Sequence, residues 1–183
     1  EFVLNSNAVA LGTTAAQMLA RKGADIIFAD AGNSSQGVIT YINDTMCASA
    51  VKTRPSPLTS ALTLVAKNIN YLSRCAGSYP LFFIGNGRYG PSLGDSDNDP
   101  SSLNHGLTSL AKHVDVAVYK TIQSFLSGDA PKTSHLTLED DAVGITLNDY
   151  NRALLPEEVL SHLETIKAKL ISGEIVVDTV IIE

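Results

Sequence analysis

The stretch from Ala10 to Ile42 switches between helical and strand periodicity, and that alternation limits the folds open to the chain more than any single residue does. Leu11, Ala15, Met18 and Leu19 recur at helical spacing, Arg21 and Lys22 suit the negative end of a helix dipole, and Gly23 stops the helix. ADIIFAD follows, a short apolar run of the kind that forms a strand buried on both faces. Ala31 to Gly37 is a polar, Gly-bearing turn, after which Val38, Ile39 and Ile42 begin a second helix. Glu1 to Leu4 reads as a strand already begun. The order β-α-β-turn-α predicts an α/β fold, a mainly parallel sheet flanked by helices, with ligands at the carboxyl ends of the strands.

The strongest helical period lies further on. Leu107, Leu110, Ala111, Val114, Ala117, Val118, Ile122, Phe125 and Leu126 predict one helix of about six turns over Leu107 to Asp129. Ser and Asn residues at 101 to 104 are its expected cap, and Gly128 its stop. PLFFIG, Pro80 to Gly85, reads as a strand, as do Ser134 to Leu138 and Ala142 to Leu147, with Glu139 to Asp141 as the turn between the last two. Pro156-Glu157-Glu158 opens a final helix that buries Val159, Leu160, Leu163, Ile166, Leu170 and Ile171, and Val176 to Ile182 suits a terminal strand. Between 45 and 79, Arg54-Pro55-Ser56-Pro57 interrupts any helix, and Leu58, Leu62, Val65, Ala66, Ile69 and Leu72 give an amphipathic helix that reads as an insertion.

With 183 residues, of which 44% are hydrophobic and 17% charged, the chain suits a single α/β domain over 1–183. A net charge of −6 with scattered Lys and Arg excludes a nucleic-acid backbone as partner. No apolar run reaches the roughly 20 residues of a membrane-spanning helix. Cys47 and Cys75 are either a disulfide closing one loop or two buried thiols. The sequons at Asn33 and Asn43 tilt the balance towards a secreted chain.

Several motifs carry less than their outline promises. Gly85 to Gly90 spells G-x-G-x-x-G after a strand, but Pro91 and an Asp-rich run follow where a dinucleotide site needs a helix, so a loop is the better reading. Asp95-Ser96-Asp97-Asn98-Asp99 imitates a calcium loop, yet Pro100 and Gly106 stand where an EF-hand needs Gly and Glu. The four histidines show no zinc spacing, and no nucleophile elbow or phosphate loop is present. These residues predict neither an enzyme nor a cofactor.

Three words resemble one family. Thr108-Ser109, Lys112 and Val114-Asp115-Val116-Ala117-Val118-Tyr119 form the first, GADIIFADAGNSSQGVI from Gly23 to Ile39 the second, and Leu170-Ile171-Ser172-Gly173-Glu174-Ile175 the third. Together they are similar to the second half of the basic membrane protein family of ABC-transporter substrate-binding lipoproteins, which includes bacterial purine nucleoside receptors. The resemblance implies one lobe of a type I periplasmic binding protein, non-enzymatic, extracytoplasmic or secreted, with ancestral purine nucleoside recognition. It implies ligand roles for Gly32 and Asn33 in the turn, for Asp95 or Asp97, and for Lys112 in the helix. Asn33 replaces the family's second Gly, and LNSNAVALG lacks its aromatic and Asp-Pro. The rival expectation is an interaction or structural protein that self-associates, or meets a complementary chain or cell-surface partner, through the former lobe interface.

Overall fold

Ile26, Ile27 and Phe28 form strand β1, which pairs in parallel with β4, Phe82–Asn86, in the register Ile26 to Phe82 and Phe28 to Ile84. The computed structural model describes residues 7–48, 71, 73–76, 78–87, 92–129 and 135–177. The chain divides into two compact units, residues 1–110 with 145–156 and residues 111–144 with 157–183. A four-stranded sheet has the order β1-β4-β5-β6, where β5 is Gly106–Lys112 and β6 is Val143–Ile145. β5 is parallel to β4, while the bonds Thr146 N–H to Ser109 O and His113 N–H to Ala142 O give β6 the antiparallel direction. The described residues hold this mainly parallel sheet and four α-helices, and the fold is α/β.

In the first unit, α1, Val9–Arg21, ends where Gly23 takes φ 93° and Ala24 N–H reaches back to Leu19 O. A 3₁₀ turn, Gly32–Ser34, leads into α2, Ser35–Thr45. Ile27 and Phe83 face a core of Ala16, Ala20, Val38, Ile39 and Ile42. Phe82 and Leu107 face the opposite way, onto Tyr71 and Leu154. Adjacent Phe82 and Phe83 are thus both fully buried on opposite faces, each contributing about 2 to 3 kcal/mol of hydrophobic transfer energy. The buried stripe of α1 is Gly12, Ala16 and Ala20, one position round from the expected stripe of Leu11, Ala15, Met18 and Leu19. Small residues are needed there: an added Cβ on Gly12 would lie 1.9 Å from Ser34 O, and one on Gly37 would lie 1.9 Å from Val9 O. Phe28 is 53% exposed, so β1 is not buried on both faces.

A short antiparallel pair, β2 (Cys47–Ala48) and β3 (Tyr79–Pro80), stands in this unit. Cys47 and Cys75 form a disulfide with Cα atoms 5.5 Å apart. Asn151, fully buried, donates to Leu107 O at 2.7 Å and Thr146 O at 2.8 Å, while its Oδ1 accepts Asn148 N–H at 2.8 Å.

In the second unit, α3 is Val114–Leu126 and α4 is Glu157–Ile171. Gly128, φ 82°, closes α3, and Gly173, φ 75°, follows α4. Neither helix has a fully buried residue, so the face expected to bury Val159 to Ile171 is at most half-buried. Lys120 and Asp140 form an ion pair, and Asp140 also accepts Thr137 N–H at 2.9 Å. The Lys120 ammonium, then the Thr137 N–H, hold the Asp140 carboxyl below its usual range.

The long helix expected over Leu107 to Asp129 is a strand, a break at His113 and a shorter helix. Leu107 is buried and Leu110 exposed, on opposite faces of β5, and Lys112 ends a strand rather than lying in a helix. The Ser and Asn residues at 101 to 104 accordingly precede a strand and cap nothing helical. Residues 135–137 have no regular structure and Leu138 begins a turn, so no strand spans their part of Ser134 to Leu138. The expected strand at Glu1 to Leu4, most of the helix after Leu58, and the terminal strand beyond Val177 lie outside the described residues; Val176 and Val177 are not strand.

Candidate ligand-binding site

Parallel strands point their carboxyl ends the same way, and polar residues that follow two neighbouring strands meet there. Asp30 follows β1, Asn86 ends β4, and the Asn86 carboxamide donates to Asp30 Oδ1 at 2.7 Å. The backbone between them is held by Ala29 N–H on Ile84 O at 2.8 Å. Ser35 sits beneath the turn: its hydroxyl accepts Ala31 N–H at 2.9 Å and donates to Ala29 O at 3.2 Å. This bracket leaves Gly32 at φ 55°, a left-handed position that suits Gly, and presents Asn33 to solvent. Asn33 Nδ2 donates to Asn7 Oδ1 at 2.7 Å. On the β4 side, Gly87 N–H meets Ser109 Oγ at 3.0 Å and Leu110 O at 2.8 Å. The remainder of the G-x-G-x-x-G outline, residues 88–90, lies outside the described residues.

The result is an exposed rim of one carboxylate, three carboxamides and turn backbone. Such a rim can exchange hydrogen bonds with hydroxyl, amide or amine groups of a neutral ligand. Among the described residues of the rim, no hydroxyl or thiol is paired with a base. Among the described residues, no group of three His, Cys, Asp or Glu is placed to hold a metal ion.

Asp95 and Asp97 lie elsewhere. Their loop leads into the amino end of β5, and Asn43, near the carboxyl end of α2, donates to Gly94 O at 2.9 Å. The turn with Gly32 and Asn33 precedes α2, whereas this loop meets its far end, so the two predicted pairs stand at opposite ends of the strands. Asp97 Oδ1 accepts Asp99 N–H at 2.8 Å and Ser102 Oγ–H at 3.3 Å, and Asp99 Oδ1 accepts Ser101 N–H at 2.9 Å. The Asp99 N–H keeps the Asp97 carboxyl below its usual range, while burial, then the neighbouring Asp97, raises Asp95. Lys112 is exposed at the carboxyl end of β5. Of the sequon residues, Asn33 is exposed and Asn43 is half-buried with its amide engaged.

Sequence reasoning missed Asp30 and Asn86 as a pair. Their signal is positional: each stands at, or just after, the end of an apolar strand run.

No protein-family model matches the sequence, and no curated sequence does. Among solved structures, the chain is similar to an ABC transporter solute-binding protein from Aeropyrum pernix K1, at 18% identity and a TM-score of 0.56. The likeness covers 96% of this chain and 46% of that one, so the chain spans about half that protein's length. It shows the fold, that of a solute-binding protein. No described helix is long and apolar enough to cross a membrane.

Proposed function

We propose that this chain is a non-enzymatic small-molecule-binding domain of the solute-binding-protein kind, working outside the cytoplasm, with purine nucleosides as its ancestral ligands. The observation that carries the reading is the Asp30–Asn86 and Asn7–Asn33 rim at the carboxyl ends of β1 and β4, within a fold shared with a solute-binding protein. A carboxylate beside carboxamides suits the hydroxyls of a ribose and the N–H edges of a base. The resemblance to the basic membrane protein family supplies the nucleoside class and the roles of Gly32, Asn33 and Lys112. The Cys47–Cys75 disulfide supports an oxidising, extracytoplasmic setting.

Thermal unfolding with inosine, guanosine or adenosine tests this. A ligand at about 100 times its Kd adds about 2.7 kcal/mol, a rise of roughly 5 to 10 °C for a domain of this size. Asp30→Ala and Asn33→Ala abolish the rise, and Lys112→Ala tests that residue's role separately. No rise with any nucleoside overturns the ligand class.

A second reading has its own observation. Val114, Val118, Ile122 and Phe125 recur along α3 and are all more than half exposed. A stripe of this kind suits self-association or a complementary chain. Light scattering decides it: a dimer that Val118→Ser with Ile122→Ser converts to monomer supports this reading, and a monomeric parent removes it.

A further inference from the structure

The chain contains one Asn-Gly dipeptide, Asn86-Gly87, at the end of β4. An Asn followed by Gly is the pair most prone to lose its side-chain amide, because the next backbone nitrogen can attack the carboxamide carbon and Gly has no Cβ in the way. In the folded chain that nitrogen is occupied. Gly87 N–H donates to Leu110 O at 2.8 Å and to Ser109 Oγ at 3.0 Å. Ser109 is 3% exposed and its own hydroxyl donates to Leu110 O at 3.2 Å, so both acceptors are fixed within β5.

The other reactant is held as well. Asn86 Nδ2, the group that would leave, donates to Asp30 Oδ1 at 2.7 Å. Attack on the carboxamide carbon creates an oxyanion there, and the neighbouring Asp30 carboxylate opposes that charge. Ring closure therefore requires the Gly87 N–H to leave both acceptors on β5 and the Asn86 side chain to leave Asp30. Gly87, at φ 62°, has the torsional freedom to follow once released.

We propose that Asn86 is a deamidation site which the β4–β5 pairing keeps closed in the folded chain and which reacts when that pairing opens. The co-reactant is water. The Gly87 nitrogen bonds to Asn86 Cγ, the Cγ–Nδ2 bond breaks, and Nδ2 leaves as ammonia with the proton that the Gly87 nitrogen gave up, which forms a succinimide. Water then adds to one of the two ring carbonyls. Breaking the Cγ–N bond yields aspartate, and breaking the bond between the main-chain carbonyl carbon and the nitrogen yields isoaspartate. Either product removes the donor to Asp30 Oδ1 and sets a second carboxylate beside it, so the rim gains a negative charge. Isoaspartate also adds one carbon to the backbone at the end of β4. The proposal stands whether or not the rim binds a nucleoside.

The full chain, held at mildly alkaline pH in native buffer and in concentrated guanidinium chloride, tests it by peptide mass mapping with isoaspartyl methyltransferase labelling. Asn86 is expected to convert to aspartate and isoaspartate in denaturant, and at least about tenfold more slowly in native buffer, as for a site reached only through local opening. Ser109→Ala removes one acceptor and is expected to raise the native-buffer rate several-fold while leaving the rate in denaturant unchanged. Equal rates in the two buffers, no conversion in denaturant, or a native-buffer rate in Ser109→Ala equal to the parent's would overturn the proposal. If Ser109→Ala does not fold, amide exchange of Gly87 in the parent decides the case. Exchange and deamidation are expected to speed up together across low denaturant concentrations, and a deamidation rate independent of Gly87 exchange would overturn the proposal.

Discussion

Gly12 lies against the Ser34 carbonyl so closely that a methyl group on its Cα would come within 1.9 Å of the oxygen. The contact is what brings α1 down onto the 3₁₀ turn before α2, and Thr13 Oγ1, 3.2 Å from Gly37 O, reinforces it from the next residue. The turn that carries Gly32 and Asn33 is therefore positioned by a pair of glycines rather than by large side chains.

Gly12→Ala and Gly37→Ala each force backbone apart and cost about 3 kcal/mol, a fall in Tm of roughly 6 to 12 °C. Gly128→Ala is the contrasting case, because its added Cβ meets nothing within 4 Å and only the φ of 82° resists it. About 1 kcal/mol is expected there. Denaturant melts of the three variants check the order, and equal losses at Gly12 and Gly128 would contradict the close-contact account.

Reduction of Cys47–Cys75, or replacement of both by serine, is expected to lower stability by about 3 to 4 kcal/mol, because the bridge closes a long loop in the unfolded chain. Urea titrations with and without reductant measure it. Unchanged midpoints would show that the bridge does not constrain the unfolded ensemble.

Asn151 ties β5 to the segment after β6 through three hydrogen bonds in a fully buried position. Asn151→Leu removes the side-chain partner of the Leu107 carbonyl and of the Asn148 N–H, while Thr146 O keeps the Thr108 hydroxyl at 2.8 Å, at a cost of about 2 to 3 kcal/mol. Asn151→Asp is expected to be no better, since a carboxylate would face two carbonyl oxygens. A melt within 2 °C of the parent for either variant, measured by circular dichroism, would refute this role.

His105 governs the acid side of the stability profile. Burial holds its imidazole below the usual pKa; the Leu81 carbonyl opposes this, and Arg74 adds to it. The unfolded chain takes up a proton on this ring near pH 6.5 while the folded chain does not, so stability from this group is full above about pH 6.5 and declines below it until the folded ring protonates. The slope is at most about 1.4 kcal/mol per pH unit. Asp95 acts with the opposite sign, since a raised carboxyl destabilises the folded state at neutral pH and that penalty is relieved as pH falls through its folded pKa. Urea midpoints between pH 7.5 and 5.5, together with ring NMR showing that His105 titrates below a free imidazole, check the pair of claims. A ring that titrates near 6.5 in the folded protein would defeat the first.

Sequence alone determined the order of the first elements. Gly23 ended a helix, IIF made a strand and the Gly-bearing turn preceded a helix, because each of those signals is local: a left-handed φ, a buried run, a dipole end. It also placed Gly128 and the Pro156 opening of α4 correctly. Local period could not decide Leu107 to Lys112, whose spacing fits a helix, because the deciding contribution is the row of hydrogen bonds from β4, in a register set by Gly106 beside Phe83. The same limit applied to the site. Asp95 and Asn33 share a polar character in the sequence, but only the parallel pairing of β1, β4 and β5 shows which end of a strand each occupies. The tertiary structure therefore separated the rim at the carboxyl ends of β1 and β4 from the acidic loop at the other end of the strands, and it joined Asp30 to Asn86 across 56 residues of chain. Pairing between distant strands carries that information, and no window along the sequence contains both partners.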